Sequence, residues 1–545
     1  MNNRPVGLLR RWPELHTETL ALLAGLYFTL ACNLPFWSAL LAGRDPWAPA
    51  TWGLALCTAL FITAGQVFLL LLVLNRWTAR PLLVTLAAVT AAAVYFMARL
   101  HVYPDPAMMR NVLETDRKEA AELLTPHMLP WLLAYALLPA LLLWRVRVKR
   151  SPGLRAVARR AGALALSLLV IAGSLWAVMD TLVPTLREQR ELRYLITPSN
   201  VVYSLFRATT REVKEARTVR HAVGTDAVQD AAPGRRPRVF VVVVGETVRA
   251  ANWGLDGYAR QTTPALAVTP GVINFADVHS CGTNTEVSVP CMFSPDGREN
   301  YDEERIRTSE SLLHVLHHAG IHVLWRDNQS GCKGVCAGLP VENFFDARID
   351  GLCANERCMD GILLHDLAGR IDNTPGDLFV VLHMLGNHGP AYFRRYPPEF
   401  RRFMPTCDTD ELDRCSHEEI VNSYDNAVLY TDHVLAQAIS LLGNIHSHDS
   451  ALLYLSDHGE SLGENNLFLH SLPYAIAPDT QTRVPMMLWL SPGLAATSGM
   501  DTDCLRVRAR QPASHDNLFH TALGMMDVRT GVYRRDLDLT AGCRH

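Results

Sequence analysis

The chain has 545 residues, of which 49% are hydrophobic and 19% charged, with a formal net charge of −3. That length exceeds a usual single domain, and the charge gives no basic excess of the kind a nucleic-acid partner draws on. A mean hydropathy of +0.07 is high for a water-soluble protein, and the excess is local.

Nearly all of it lies before Asp180, in five apolar runs at 19–41, 50–74, 81–100, 128–144 and 162–178. Each is near the roughly 20 residues that cross a bilayer core, and the fourth is the shortest. Their central parts carry no charged side chain, although Asn33 and Gln66 are polar. Transporters and proton pumps place ionisable groups at that depth, so the pattern predicts an anchor and platform. The first run is too long, and lacks the cleavage site, for a removed signal peptide. Arg4, Arg10 and Arg11 precede the first run, Arg76 and Arg80 fill the second loop, and seven cations from Arg145 to Arg160 fill the fourth. Loops rich in Lys and Arg stay cytoplasmic, so five spans starting inside put everything after Asp180 outside.

In the third loop, 107–124 is helix-compatible, with Asn111, Thr115 and Glu119 four apart on one stripe. It reads as an amphipathic connector lying on the membrane, with a lipid-headgroup site as the alternative. Residues 181–237 are charged, poor in aromatics and closed by Pro-Gly-Arg-Arg-Pro, which predicts a bridging segment. Its first part, 182–206, is expected along the membrane surface, and 211–237 exposed. Beyond it, strands are predicted at 238–244, 322–325, 378–382 and 484–490, and in the apolar run from Ala451. Helices fit 309–318, 360–371, 417–442 and 514–525. This alternation implies an α/β domain, a mainly parallel sheet between helices. The organisation expected is 1–180 transmembrane, 181–237 bridging and 238–545 catalytic.

Three of the buried strands end in metal-competent side chains: the first in Glu246, the next in His383, the last in Asp457 and His458. Ligands gather outside the carboxyl ends of strands in such sheets. Between the first strand and the next helix, the loop 280–291 holds Thr283, Thr285 and Ser288. A hydroxyl above a helix amino terminus faces a site that favours phosphate, and a threonine needs a base or metal to become nucleophilic. Spacing alone does not choose among the three.

Cys32 and Cys57 fall in apolar runs, while the other ten cysteines pair closely after residue 280: 281 with 291, 332 with 336, 353 with 358, and 407 with 415, leaving 504 and 543. On an oxidising side these read as disulfides. The rival is a four-cysteine zinc site from 332/336 and 353/358.

Gly245-Glu246-Thr247, the Cys-Gly-Thr-x-Thr stretch through Thr285, Gly386-Asn387-His388-Gly389-Pro390 and Ser456-Asp457-His458-Gly459-Glu460 through His470 resemble the phosphoethanolamine–lipid A transferases, including the mobile colistin-resistance type. The resemblance extends over the five apolar runs and the carboxy-terminal region. It implies an alkaline-phosphatase-like catalytic domain in the periplasm, anchored in the bacterial inner membrane, and a zinc-dependent monomer with no nucleic-acid partner. The implied donor is phosphatidylethanolamine and the acceptor a lipid A phosphate, with transfer through a phosphothreonine-type intermediate that lowers surface charge and confers polymyxin resistance. By position it makes Thr285 the nucleophile and Glu246, Asp457, His458 and Thr285 the ligands of Zn2+. It sets His388 and His470 at the substrate, as proton donors or as a second, weaker metal position, and Ser330 and Lys333 near the phosphoryl group. It also favours the headgroup reading of Asn111, Thr115 and Glu119, and leaves His383 as a neighbour. The pairs 332/336 and 504/543 vary within the family. The alternative is a membrane-anchored phosphodiesterase or sulfatase-like hydrolase, whose modified Cys or Ser nucleophile the threonine disfavours.

Overall fold

The computed structural model describes residues 13–100, 102–114, 117–149, 153–188, 190–217, 220–230, 232, 234–344, 346–354 and 357–544. The chain divides into two units: Met1–Met109 with Leu124–Thr209, and Arg110–Leu123 with Thr210–His545. The amphipathic third-loop segment is therefore part of the larger unit.

The first unit is helical, and its apolar helices are α1 (Thr17–Ala31), α2 (Leu34–Leu41), α3 (Pro49–Val73) and α4 (Ala79–Arg99). They are followed by α5 (Pro106–Glu114), α6 (Arg117–Leu123), α7 (Met128–Leu132), α8 (Leu138–Trp144), α9 (Gly153–Glu188) and α10 (Ser199–Arg217). Of these, α5 crosses the boundary between the units, α6 lies in the second, and α10 ends there. Among the described residues three helices are long and apolar enough to cross a membrane: α3, α4 and the Gly153–Leu182 part of α9. The first expected run is instead a pair, α1 and α2, bent by 54°, which brings the number to at most four. The fourth run, Met128–Trp144, is a shorter apolar helix. It contains a π-turn at Leu133–Leu137, just before Pro139, which lacks the N–H that regular helical bonding needs.

The break between α1 and α2 falls at Pro35, which has no N–H to donate back to the Ala31 carbonyl, and the two polar residues of the apolar runs hold the segment around Thr197. Asn33 Oδ1 accepts from the Thr197 N–H at 2.7 Å and from Thr197 Oγ1 at 2.9 Å, and its amide donates to the Thr197 carbonyl at 3.2 Å. Gln66 Nε2 donates to the same carbonyl at 2.9 Å. All three residues are buried, so these amides pin residues 192–200 between helices. Close approach of α1 to α3 runs through Gly25, where a Cβ would stand 3.0 Å from Val67 Cγ2. Residues 182–188, expected at the start of a bridge, continue α9.

The second unit is organised by a seven-stranded sheet. Its strands in chain order are β1 (Arg238–Gly245), β2 (Val272–Phe275), β3 (His322–Asp327), β4 (Val341–Asn343), β5 (Leu378–His383), β6 (Asp449–Ser456) and β7 (Met486–Leu490). Their order across the sheet is β2-β7-β6-β1-β5-β3-β4. β6, β1, β5, β3 and β4 pair in parallel, and β7 is antiparallel to β6 and β2. Every residue of β1 is buried, which is why it reads as an unbroken valine run. Phe240, Val242 and Val244 pack with Leu312 and Leu316 of α12 (Leu312–His318). Phe519 and Leu523 of α14 (Asp516–Met525) join the same core. Helix α13 (His417–Gly443) packs on β6.

Register decides what the sheet delivers. Val244 of β1 lies opposite His383 of β5, and Gly245 lies opposite Ser456 of β6. Glu246, His383 and Asp457 thus leave three adjacent strands at one edge. All five expected cysteine pairs are disulfides in this unit, so the four-cysteine zinc arrangement is excluded. Cys32 and Cys57 are free.

Replacing Asn33 by Leu keeps the volume but leaves the buried Thr197 N–H without its acceptor, at a cost of about 1–3 kcal/mol. The expected outcome is a lower thermal midpoint for the detergent-solubilised chain, read by intrinsic fluorescence.

Candidate active site

Two carboxylates and an imidazole meet where β1 and β6 end. Glu246, Asp457 and His458 are fully buried, and one ligand atom from each lies within 4.8 Å of the others. His458 Nε2 stands 3.3 Å from Glu246 Oε1 and 3.4 Å from Asp457 Oδ2. Thr285 Oγ1 is 3.0 Å from Glu246 Oε2 and 3.5 Å from His458 Nε2. Donors about 2.0–2.1 Å from a tetrahedral ion lie roughly 3.3 Å apart, and the three contacts of His458 Nε2, at 3.3, 3.4 and 3.5 Å, match that spacing.

Hydrogen bonding elsewhere leaves the right atoms open. His458 Nδ1 faces the Gly459 carbonyl at 2.9 Å, which puts the ring proton there and turns the Nε2 lone pair inward. Asp457 Oδ1 accepts from the backbone N–H groups of His458 and Thr247 at 2.8 and 3.2 Å. Asp457 Oδ2 and Glu246 Oε1 are buried with no hydrogen-bond donor. Such orphaned carboxylate oxygens fit a cation, and the oxygen and nitrogen donor set fits zinc.

The electrostatics agree. Burial pushes the Asp457 carboxyl up to about 7, with the Glu246 charge adding to it. Burial would raise Glu246 too, but a proton on His458 Nε2, standing where a cation would, outweighs it by hydrogen bond and charge and holds Glu246 below the usual carboxylate range. Burial would lower His458, yet Asp457 and Glu246 hold it up to about 10. The cluster is short of positive charge.

Geometry separates the three hydroxyls that spacing left open. Thr283 Oγ1 donates to the Leu472 carbonyl at 2.6 Å, and Ser288 Oγ donates to the Asp457 carbonyl. Thr285 alone of the three reaches the carboxylate. It opens α11 (Thr285–Met292), whose N-cap Asn284 accepts from the Val287 N–H, and the Cys281–Cys291 disulfide ties loop to helix. Gly386 completes the wall: its φ is +53°, and a Cβ there would fall 2.7 Å from the Glu246 carbonyl and 2.9 Å from its Cβ. Next to Glu246, Thr247 is held at φ 55°, a strained conformation for a β-branched residue. The Tyr424 hydroxyl donates to its carbonyl at 2.6 Å.

Residues 238–528 match the Sulfatase family model, and residues 62–213 match the family model described as phosphoethanolamine transferase EptA/EptB. The chain is 38% identical to phosphoethanolamine transferase EptA of Escherichia coli K12, with 98% of each chain covered. It is 37% identical to phosphatidylethanolamine transferase Mcr-1 of Escherichia coli, over 86% of this chain and 88% of that one. The solved integral membrane protein lipooligosaccharide phosphoethanolamine transferase A from Neisseria meningitidis matches with a TM-score of 0.91 at 35% identity, over 98% of this chain and 100% of that one. The chain belongs to the phosphoethanolamine transferases. It is an enzyme of that class, with a sulfatase-family domain behind a helical membrane region.

Around the transferase's cluster lie the other residues singled out in the sequence. The His470 ring lies tilted 4.4 Å from His458 and edge-on 5.6 Å from His388, ring centre to ring centre. His470 Nδ1 is 2.8 Å from Glu460 Oε2, and the Tyr392 hydroxyl donates to Glu460 Oε1 at 2.6 Å. Burial, the largest influence, lowers the His470 pKa despite Glu460. Lys333 Nζ bonds Ser330 Oγ and Glu286 Oε1, each at 2.8 Å. Ser330 Oγ bonds Gln329 Oε1 at 2.6 Å, and Gln329 Nε2 reaches Glu246 Oε2 at 3.2 Å. His383 is not in the cluster: its Nδ1 pairs with Asp327 at 2.7 Å, one strand further along the sheet.

Asn111 is partly exposed on α5, and Glu119 lies on α6, though its side chain is outside the described residues, as is Thr115 altogether. One turn after Glu119, Glu122 is 2% exposed and ringed by guanidiniums: Arg395 at 2.5 Å, Arg357 at 3.1 Å and Arg394 at 3.6 Å. Arg395, itself buried, also donates from Nε to the His388 carbonyl at 2.6 Å. Glu122, one turn beyond the stripe expected to face a headgroup, is thereby linked to His388 through Arg395. Gln329, Glu122, Arg395 and Glu460 carried no spacing signal; the Ser-Asp-His-Gly-Glu run pointed to Glu460 alone.

Two outcomes follow from this geometry. Gly386→Ala drives a methyl into Glu246, so the purified variant should keep its five disulfides yet bind metal at well under half the parent stoichiometry by plasma mass spectrometry. Glu122→Ala leaves buried guanidinium charge uncompensated and should cost about 3–5 kcal/mol in chemical unfolding, with part of that recovered when Arg395→Met is added.

Proposed function

We propose that this transferase moves phosphoethanolamine from phosphatidylethanolamine to a phosphate of lipid A, on the periplasmic side of the bacterial inner membrane. The observation that carries the reading is the Thr285 hydroxyl, 3.0 Å from Glu246 inside a four-donor cluster. The names of its relatives support the donor and a lipid A acceptor: one is a phosphatidylethanolamine transferase, and another a Kdo(2)-lipid A phosphoethanolamine 7''-transferase of Escherichia coli K12, 27% identical over 81% of this chain and 80% of that one. Glu246, Asp457, His458 and Thr285 would hold zinc. Zinc held there would lower the pKa of the Thr285 hydroxyl and polarise a phosphoryl oxygen.

In the first half-reaction Thr285 Oγ1 attacks the donor phosphorus and the bond to the diacylglycerol oxygen breaks. The threonine proton ends on diacylglycerol, relayed by His388 or His470, because an alkoxide leaving group requires a proton donor near neutrality. A phosphoethanolamine ester of Thr285 remains. In the second, a lipid A phosphate oxygen attacks that phosphorus, the bond to Thr285 breaks, and the same histidines pass to the Thr285 oxygen a proton taken from the incoming phosphate or from solvent. Lys333, Ser330 and Gln329 orient the phosphoryl oxygens. Asn111, Thr115 and Glu119 hold the ethanolamine headgroup, consistent with the docking of Glu122 beside His388. Adding a cationic amine to an anionic lipid weakens the surface attraction for polycationic peptides, which accounts for colistin resistance. The sulfatase-family match over 238–528 favours one rival, a hydrolase with water as acceptor. A threonine nucleophile argues against it.

Lipid A mass spectra from expressing cells test the reading. The parent chain should add phosphoethanolamine to lipid A, and Thr285→Ala should add none while binding zinc. Release of free phosphoethanolamine without lipid A modification would establish the hydrolase instead. His388→Ala and His470→Ala should lose at least tenfold in turnover with metal content unchanged, the scale of a general acid's contribution of about 10²–10⁴. Loss of zinc in either would make that residue a ligand.

A further inference from the structure

The first unit holds a cavity of about 610 Å³ to which the proposed reaction assigns no role. Its polar wall is formed by Arg193 and Tyr194, from the turn at Arg190–Leu195, and by Tyr203 and Arg207 of α10. Phe61 and Leu69 of α3 supply an apolar wall, and Gln66 lies between.

The wall is built before any ligand arrives. Thr197, held by the Asn33 and Gln66 amides, fixes the chain between the two arginines. Asn200 Nδ2 donates to the Tyr194 carbonyl at 2.6 Å, which braces the turn against α10. The volume is within the about 300–1,000 Å³ of small-molecule sites. Guanidinium forks match phosphate oxygens in geometry and charge, phenol hydroxyls add neutral donors, and an apolar face beside them suits hydrocarbon. In a unit of membrane-spanning helices, the molecule that combines a phosphate with hydrocarbon is the surrounding lipid.

We infer that this cavity binds one glycerophospholipid, with Arg193 and Arg207 on its phosphodiester and an acyl chain along Phe61 and Leu69. The site shares no residue with the Glu246–Asp457–His458 cluster. Free phosphate is the weaker candidate, because it leaves the apolar wall bare.

Native mass spectrometry of the full chain, released from mixed micelles containing phosphatidylglycerol, tests the inference. That lipid carries the phosphodiester and both acyl chains but no ethanolamine to transfer, so the result stands apart from the proposed activity. About one phosphatidylglycerol per chain should be retained. Arg193→Ala with Arg207→Ala should lower retention roughly tenfold, the loss expected from charge-assisted hydrogen bonds. A second variant guards against misfolding of the first: a Cβ at Gly65, which lines the cavity, meets nothing within 4 Å. Gly65→Leu should therefore fold, fill the space and lower retention as well. Undiminished retention in a folded form of either variant overturns the site, and displacement of the lipid by millimolar inorganic phosphate overturns the lipid assignment.

Discussion

Buried like charge is the constraint on which the catalytic unit turns. Glu246 and Asp457 are both inaccessible to water, both within 3.4 Å of one imidazole nitrogen, and each retains an oxygen that no donor satisfies. Leaving carboxylates in that state costs several kcal/mol each, and among the described residues no lysine or arginine pairs with them: Lys333 and Arg307 pair with Glu286. A fold keeps such an arrangement when a cation completes it. The strained Thr247 and the glycine packed against Glu246 are the local costs of bringing these groups together.

The rest of the unit can be understood as holding that cluster still. Parallel register aligns the ends of β1, β5 and β6, the disulfide at Cys281 and Cys291 fixes the threonine loop, and Gln329 links Glu246 to the Ser330–Lys333–Glu286 chain. Glu122 extends the support outward, joining the amphipathic segment to His388 through a single buried arginine. Because Arg395 serves both partners, the position of one histidine and the docking of that segment are coupled.

Much of this was legible in the sequence, for identifiable reasons. Strands buried on both faces announce themselves as apolar runs, so β1, β5 and β6 and the residues that follow them stood out, and with them the Glu246, Asp457 and His458 set. What the runs could not reveal was the direction a side chain takes at the sheet edge. His383 leaves a central strand like its neighbours yet turns to Asp327. Thr285 was one of three hydroxyls until hydrogen bonds engaged the other two. Glu122 and Arg395 meet across 273 positions, and no local pattern encodes such a pairing. In the first unit, composition located the apolar runs but not the pairing of Asn33 with Thr197, which meet across 164 positions.

X-ray absorption at the zinc edge of the metal-loaded full chain tests the central claim most directly. The account predicts a four-coordinate shell of oxygen and nitrogen at about 2.0–2.1 Å, with the scattering of one imidazole and no sulfur. A sulfur shell near 2.3 Å, or a spectrum unchanged by Glu246→Gln and Asp457→Asn, would contradict it.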